Sequence, residues 1–457
     1  MTDAPTTRTR PDTLKLGTFV YTFGFHPAAW LHPGSDVHGA NDLSHLVRCA
    51  KTAESAKLDF MFFADSPASA VGDPAALCRN PTKMNRFEPI TAITALSQHT
   101  SRIGFVATAS TSYYEPYNIA RLFASADHIA KGRIAWNVVT SDHDETGYNY
   151  NREGLAPHAE RYERGQEFID TVFGLWDSFE DDALLLDRTS GLYYDKNKLH
   201  TLDHKGKHFQ VRGPLNIART PQGRPVIAQA GGSEQGMELA ARTAEMVFSL
   251  ASNIDRNRAF YADVKGRMAK YGRDENDLKI MPGVVVNVGE TREEAEAKAQ
   301  ALVDLMHPDV GLLMLQEFLE TDLHGVALDE PFPMDRMPEK AKGSKAMFAE
   351  LKDFVSQGHT MRELITHYAR QHTGNGLIGT PGQVADFMQE WFETGAADGF
   401  ILMCPTLPSS LEDFTRLVVP ELRRRGLFRK DYEGETLRAH LGLSTPPNRY
   451  AAARAKG

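Results

Sequence analysis

Residues 225–236 read Pro225-Val-Ile-Ala-Gln-Ala-Gly-Gly-Ser-Glu-Gln-Gly236. An apolar β-rich run stops at Gly231-Gly232, and Ser233 then opens a helix. Glycines let a backbone turn tightly and approach a ligand. Ser is a good N-cap, and a helix N-terminus presents free N–H groups with a partial positive charge. The stretch is therefore one strand–turn–helix unit with an anion-binding turn suited to a phosphate. Taken alone, a Ser-capped turn with no ligand accounts for it equally well. A hydrolase nucleophile elbow, G-x-S-x-G, fits less well, because Gln235 stands where the second glycine belongs.

The same unit recurs on both sides. Short β-like runs lie at 14–21, 59–63, 103–108, 133–139, 246–250, 279–288 and 399–403. Helical patterns lie at 43–57, 118–130, 161–176, 234–243, 291–305 and 411–424. Alternation of this kind predicts a parallel sheet, and about eight units close a (β/α)8 barrel. A barrel with insertions accommodates all 457 residues as one α/β TIM-barrel domain. Residues 1–13, polar and carrying Pro5 and Pro11, are expected to be a flexible leader. The insertions fall at about 65–88, 181–224 and 307–376, where barrel enzymes carry binding loops and lids. Residues 181–224 have the turn content of a hairpin-like excursion, and 346–357 is helical.

Charge and composition exclude several classes. The net charge is −9 with no basic stripe, which disfavours both a nucleic-acid partner and a membrane surface. No run of about 18 apolar residues exists to span a bilayer. The leader lacks the apolar segment of a secretory signal. Cys49, Cys78 and Cys404 have no metal-like spacing and fit reduced thiols in a cytoplasmic protein, with no metal site expected. Residues 374–379 match G-x-G-x-x-G by letter, but they follow the helical 361–371 rather than a strand. They are expected to be a loop, with Thr380-Pro381 starting the next helix.

Several ordered motifs resemble one family. They are Gly132-Arg-Ile-Ala-Trp-Asn-Val-Val-Thr-Ser141, His158 with Arg161-Tyr162, Arg212-Gly-Pro-Leu215, Gln229-Ala-Gly-Gly-Ser233, Ala396-Ala-Asp-Gly-Phe400 and Leu437-Arg-Ala-His-Leu-Gly442. Together, over residues 14–443, the chain resembles the nitrilotriacetate, dibenzothiophene-sulfone and long-chain alkane monooxygenase group of the bacterial-luciferase-like proteins. The resemblance implies a TIM barrel that takes reduced FMN (FMNH2) from a separate NAD(P)H:flavin reductase. It implies that O2 is activated as a flavin C4a-peroxide to oxidise a small organic substrate, one that may contain sulfur or nitrogen. It also implies a homo-oligomer, dimer or tetramer. The superfamily includes F420-dependent oxidoreductases and non-catalytic flavin-binding proteins, so both remain alternatives.

The resemblance assigns residues one by one. Asp65 matches an acid near the isoalloxazine ring, and Thr108 and Asn137 match polar groups at strand ends beside it. His158 and Tyr162, four apart and so on one helix face, match the pair reaching the ribityl chain and phosphate. Gly232 and Ser233 match the phosphate turn. His26, within Phe25-His-Pro-Ala-Ala-Trp30, matches a histidine near the reacting flavin face and is the candidate for proton control. Phe62 matches an aromatic lining the same pocket. Outside this context, Asp65 as a loop cap, His158–Tyr162 as a solvated helix start and His26 as a buried structural histidine are each sufficient readings. One position departs: after His307-Pro-Asp-Val-Gly311, relatives carry a histidine where this chain has Phe318.

Overall fold

The computed structural model describes residues 13–141, 144–250, 253–341, 345–372 and 377–455. Eight parallel strands close a barrel: β1 (Lys15–Phe19), β2 (Phe60–Phe63), β3 (Gly104–Ser110), β4 (Ile134–Val139), β5 (Val226–Ala230), β6 (Met246–Leu250), β7 (Lys279–Val284) and β8 (Gly399–Met403). Each strand pairs with its sequence neighbour, and β8 closes on β1 with Phe19 opposite Met403. The strands are short and nearly all buried, as expected of a sheet wrapped in helices.

Helices follow the strands: α1 (Leu43–Ser55), α2 (Pro89–Ser97), α3 (Pro116–Ile129), α4 (His158–Trp176), α5 (Glu234–Thr243) and α6 (Ile254–Arg267). Local chemistry sets their starts. Asp42, Ser233 and Asn253 each accept a backbone N–H at an N-terminus, and Pro89 and Pro116 occupy first positions. Between β7 and β8 lie α7 (Arg292–Asp304), α8 (Pro308–Leu319), α9 (Lys345–Ser356), α10 (Met361–His372) and α11 (Pro381–Glu393). The insertion helices α8 to α10 bury their own apolar cluster, including Leu315, Leu319, Leu351, Leu364 and Tyr368.

Three sequence expectations change. The run 279–288 is two strands: β7 ends at Val284, and Asn287–Val288 pairs in parallel with Ile378–Gly379. Residues 378–379 are thus a strand rather than loop, because Asn287 N–H needs an acceptor off the barrel and finds it at Leu377 O (3.1 Å). Residues 374–376, like leader residues 1–12, lie outside the described residues. Segment 65–88 carries short helical turns at Pro74–Leu77 and Pro81–Lys83. The excursion at 181–224 contains two hairpins, and Thr380-Pro381 caps α11 with a full capping box.

The barrel interior is filled by Phe19, Phe60, Phe62, Val106, Ala135, Val226, Ala228, Met246, Met281, Ile401 and Met403. Leu437, Leu441 and Leu443 of the C-terminal segment join that cluster and fill the amino end of the barrel. Gly104 permits the approach: a Cβ there would stand 2.5 Å from Leu437 Cδ1. Arg438, 2% exposed, donates to both carboxylate oxygens of Glu245 at 2.6 and 3.1 Å. Arg429 pairs with buried Asp59 and donates to His440 O at 2.7 Å.

Burial, and then the nearby Arg429 charge, depress the His440 pKa to about 4. The unfolded chain then binds this proton more tightly than the folded one. The resulting stabilisation is complete above the unfolded value of about 6.5 and is lost as pH falls through about 4. It amounts to about 3 kcal/mol at about 1.4 kcal/mol per pKa unit. Denaturant unfolding at pH 7 and pH 4.5 should show wild type losing about 2 kcal/mol more than His440→Phe over that interval. Equal losses would remove His440 from the acid response.

Candidate active site

A cavity of about 470 Å3 opens at the carboxyl ends of the strands. That is within the range of small-ligand sites. Its wall comes from the ends of β2 to β5 and the first turns of α4 and α5. Asp65, Thr108, Asn137, His158, Tyr162, Gly232 and Ser233 all line it. Residues separated by up to 168 positions therefore converge because consecutive βα loops are neighbours around the barrel.

The floor is polar by design of register. Thr108 on β3 and Asn137 on β4 are opposite one another, and both are buried. The Asn137 amide donates to Thr108 Oγ1 at 2.8 Å, while its Oδ1 finds no partner among the described residues. A buried carbonyl oxygen facing a cavity is an acceptor awaiting a donor. On one wall, Asp65 lies 3.4 Å from Arg86 Nε. Burial raises the Asp65 pKa, and the Arg86 charge opposes the rise.

The opposite wall is the anion turn. Ser233 Oγ accepts Gly236 N–H at 3.1 Å, fixing the first turn of α5, and stands 3.4 Å from the Tyr162 hydroxyl. The first N–H groups of α5 have no partners within the helix. Glu234 would set a negative charge beside them, but it is turned to Arg267 at 2.6 Å. A Cβ built on Gly232 meets no atom within 4 Å, so the backbone there fronts open space. His158 and Tyr162 stack one turn apart, ring centroids 4.7 Å, at the start of α4.

The sequence points to Arg161 only as part of a motif, yet it lines the cavity, and its buried Nε has no partner among the described residues. Its position beside Tyr162, on a helix start facing a phosphate-type turn, was the available signal. Gln229, Thr140 and Ser141 also line the wall.

His26 and Phe62 are not among the lining residues. His26 is buried in the loop after β1; its Nδ1 accepts Ala28 N–H at 3.2 Å, and its own N–H donates to Pro405 O beyond β8. It therefore sits at the carboxyl end of the barrel, at the β1–β8 seam. Phe62 lies inside the barrel, stacked on Phe19 at 5.3 Å, beneath the level of Ala64 in the cavity wall. Phe318 packs against Tyr368 (5.5 Å) within the insertion cluster and does not face the cavity.

The model of the luciferase-like monooxygenases matches residues 18–398. This chain belongs to that family. Over 448 residues it is 46% identical to nitrilotriacetate monooxygenase component A of Aminobacter aminovorans, spanning 96% of this chain and 98% of that one. N-acetyl-S-(2-succino)cysteine monooxygenase of Bacillus subtilis is 45% identical over 441 residues, with the same coverage. Among solved structures, riboflavin lyase RcaE, described with modified FMN and riboflavin, superposes with a TM-score of 0.81 at 29% identity. That match covers 97% of this chain and 99% of that one. The luciferase-like assignment agrees with the closed barrel and its strand order, and among the described residues no helix is long and apolar enough to cross a membrane.

Proposed function

We propose that this luciferase-like monooxygenase is the oxygenase component of a two-component system. It takes FMNH2 from a separate NAD(P)H:flavin reductase and uses O2 to oxidise a small substrate, as a cytoplasmic homo-oligomer. The observation that carries the reading is the single cavity in which a phosphate-type turn and an unsatisfied buried acceptor face the same space. An FMN fits these groups by chemistry: a dianionic phosphate for the α5 turn, and ring N–H groups for Asn137 Oδ1.

Reduced FMN, when bound, supplies O2 activation at its C4a position; the protein supplies binding, orientation and proton control. Ser233, the α5 amides, Tyr162 and Arg161 would hold the phosphate, the arginine by a charge-assisted contact. Asn137, whose amide N–H donates to Thr108 Oγ1, would orient the ring edge through its Oδ1. Asp65, in the same cavity wall, would be an acid available to the ring, and the barrel floor of Phe19 and Phe62 would keep water from below. His26, with Nδ1 occupied by Ala28 N–H, exchanges a proton through Nε2. The two relatives near 45% identity are named for substrates in which nitrogen or sulfur bears carboxylate-carrying carbon, and we assign this chain to oxidation of that class.

Oxygen uptake with NADH and FMN should require an added flavin reductase, with the chain alone consuming almost no NADH. Strong NADH oxidation by the chain alone would end the two-component reading. Oxygen-independent turnover of a deazaflavin would end the oxygenase reading.

A further inference from the structure

Arg86 stands behind the cavity wall rather than in it. It borders a cleft of about 30 Å3 with Tyr21, Phe63, Thr82 and Phe87. Its guanidinium reaches two consecutive residues, Asp65 and Ser66, that do line the cavity. Nη2 donates to Ser66 O at 2.9 Å, and Nε lies 3.4 Å from Asp65 Oδ1. The planar fork of an arginine fixes both contacts at once. Asp65 begins the loop after β2 and Arg86 lies near its end, so the pair also draws that loop shut. The Arg86 and Asp65 side chains are 20% and 15% exposed, so salt and water screen them little.

The charges around Asp65 make this contact matter. Burial raises the Asp65 pKa, the Arg86 charge lowers it, and the Glu88 charge raises it again. Glu88 is the N-cap of α2 and accepts the N–H groups of Ile90 and Thr91. Tyr114, in the loop after β3, lies near both acids, and burial pushes its hydroxyl pKa up. Tyr21, after β1, lies near Arg86, and burial raises its pKa as well. His158 and Arg161 belong to the α4 side of the cavity. Among the described residues, Arg86 is thus the cation set against a desolvated carboxyl that has a second acid close by.

We propose that Arg86 is a positioning residue of the flavin site, holding Asp65 ionised and in place at the cavity wall. An ionised carboxylate only accepts hydrogen bonds, whereas a protonated one also donates. Reduced FMN carries ring N–H groups, so it favours the acceptor-only form. Without the Arg86 charge, burial and Glu88 are opposed only by the Ser66 N–H, and Asp65 takes up its proton at higher pH. The inference rests on the flavin reading above and names a residue that acts through Asp65.

Titration of Asp65 in the flavin-free full chain tests it. Carbon-13 carboxyl resonances report the protonation, and Asp65→Asn identifies the signal by its loss. Wild-type Asp65 should be ionised at about pH 7. In Arg86→Gln, which can still donate to Ser66 O, the midpoint should move to higher pH. Arg86→Lys, which keeps the charge, should bring it back toward wild type. An unmoved midpoint in Arg86→Gln overturns the proposal. So does a wild-type Asp65 that is protonated at about pH 7, a result that needs no variant to fold. Anaerobic titration of reduced FMN reads the consequence. Arg86→Gln should match wild type at about pH 8.5 and bind at least about tenfold more weakly at about pH 6. An equal loss at both pH values would make Arg86 a structural prop and overturn the proposal. Asp65→Asn binding reduced FMN like wild type at both pH values would overturn the placement of the ring beside Asp65, and with it the positioning role, whatever the carboxyl titration shows.

Discussion

His26→Ala should leave flavin affinity within about twofold of wild type while the rate of product formation falls about 10²–10⁴-fold, the usual effect of losing a positioned proton-transfer group. The separation follows from placement. Asn137 lies on β4 and the phosphate turn joins β5 to α5, whereas His26 is held at the β1–β8 seam through Ala28 N–H and Pro405 O. His26 is 1% exposed, and its Nδ1 accepts Ala28 N–H. Reduced flavin would still consume O2 in the variant, so uptake should persist while hydrogen peroxide rises at the expense of product. The ratio of product to hydrogen peroxide is the measurement. An unchanged ratio would make His26 a structural histidine; a parallel loss of flavin affinity would place it beside the wrong part of the cofactor.

Gly232→Val should weaken binding of reduced FMN at least 100-fold without altering stability. A Cβ at this position meets nothing within 4 Å in the protein, so the variant should fold as wild type. The new side chain would instead occupy the space in front of the α5 amides. Ser233→Ala separates differently. It removes one hydrogen bond to a charged group, worth about 1.5–3 kcal/mol, or about 10–100-fold in affinity. It also removes the cap accepted by Gly236 N–H, costing about 1 kcal/mol of stability. Anaerobic titration of reduced FMN, with thermal melts alongside, reads both. Unchanged affinity in Gly232→Val would move the phosphate to another part of the cavity.

The barrel was legible because its strands are short apolar runs each followed by a turn and an amphipathic helix, a pattern carried by neighbouring residues. The anion turn was legible for the same reason: strand, glycines, Ser cap and helix are contiguous. What escaped was non-local. Arg161 reaches the same cavity as the α5 turn only through the fold, which no local spacing encodes. The strand at Ile378–Gly379 exists only because Asn287–Val288, some ninety residues earlier, runs beside it. The short separation of Val284 from Asn287 hid the end of β7, since both sides are apolar and β-branched. Insertion helices α8 to α10 bury one another rather than the barrel, so their apolar faces gave no clue to where they sit.

The residues that fill the amino end of the barrel come from its far end in sequence: Leu437 meets Gly104, and Arg438 meets Glu245. β1 likewise waits for β8, with Lys15 opposite Gly399. Such long separations make closure slow, because loop entropy is lost before the contacts that compensate it form. During translation at about 5–20 residues per second, β1 to β7 would be made about 6–30 seconds before the segment that seals them exists. Through that interval the interior face holding Phe19, Phe60 and Phe62 stands open to other nascent chains. Yield in a cell should therefore respond to chaperone supply more than the melting temperature of the finished protein would suggest.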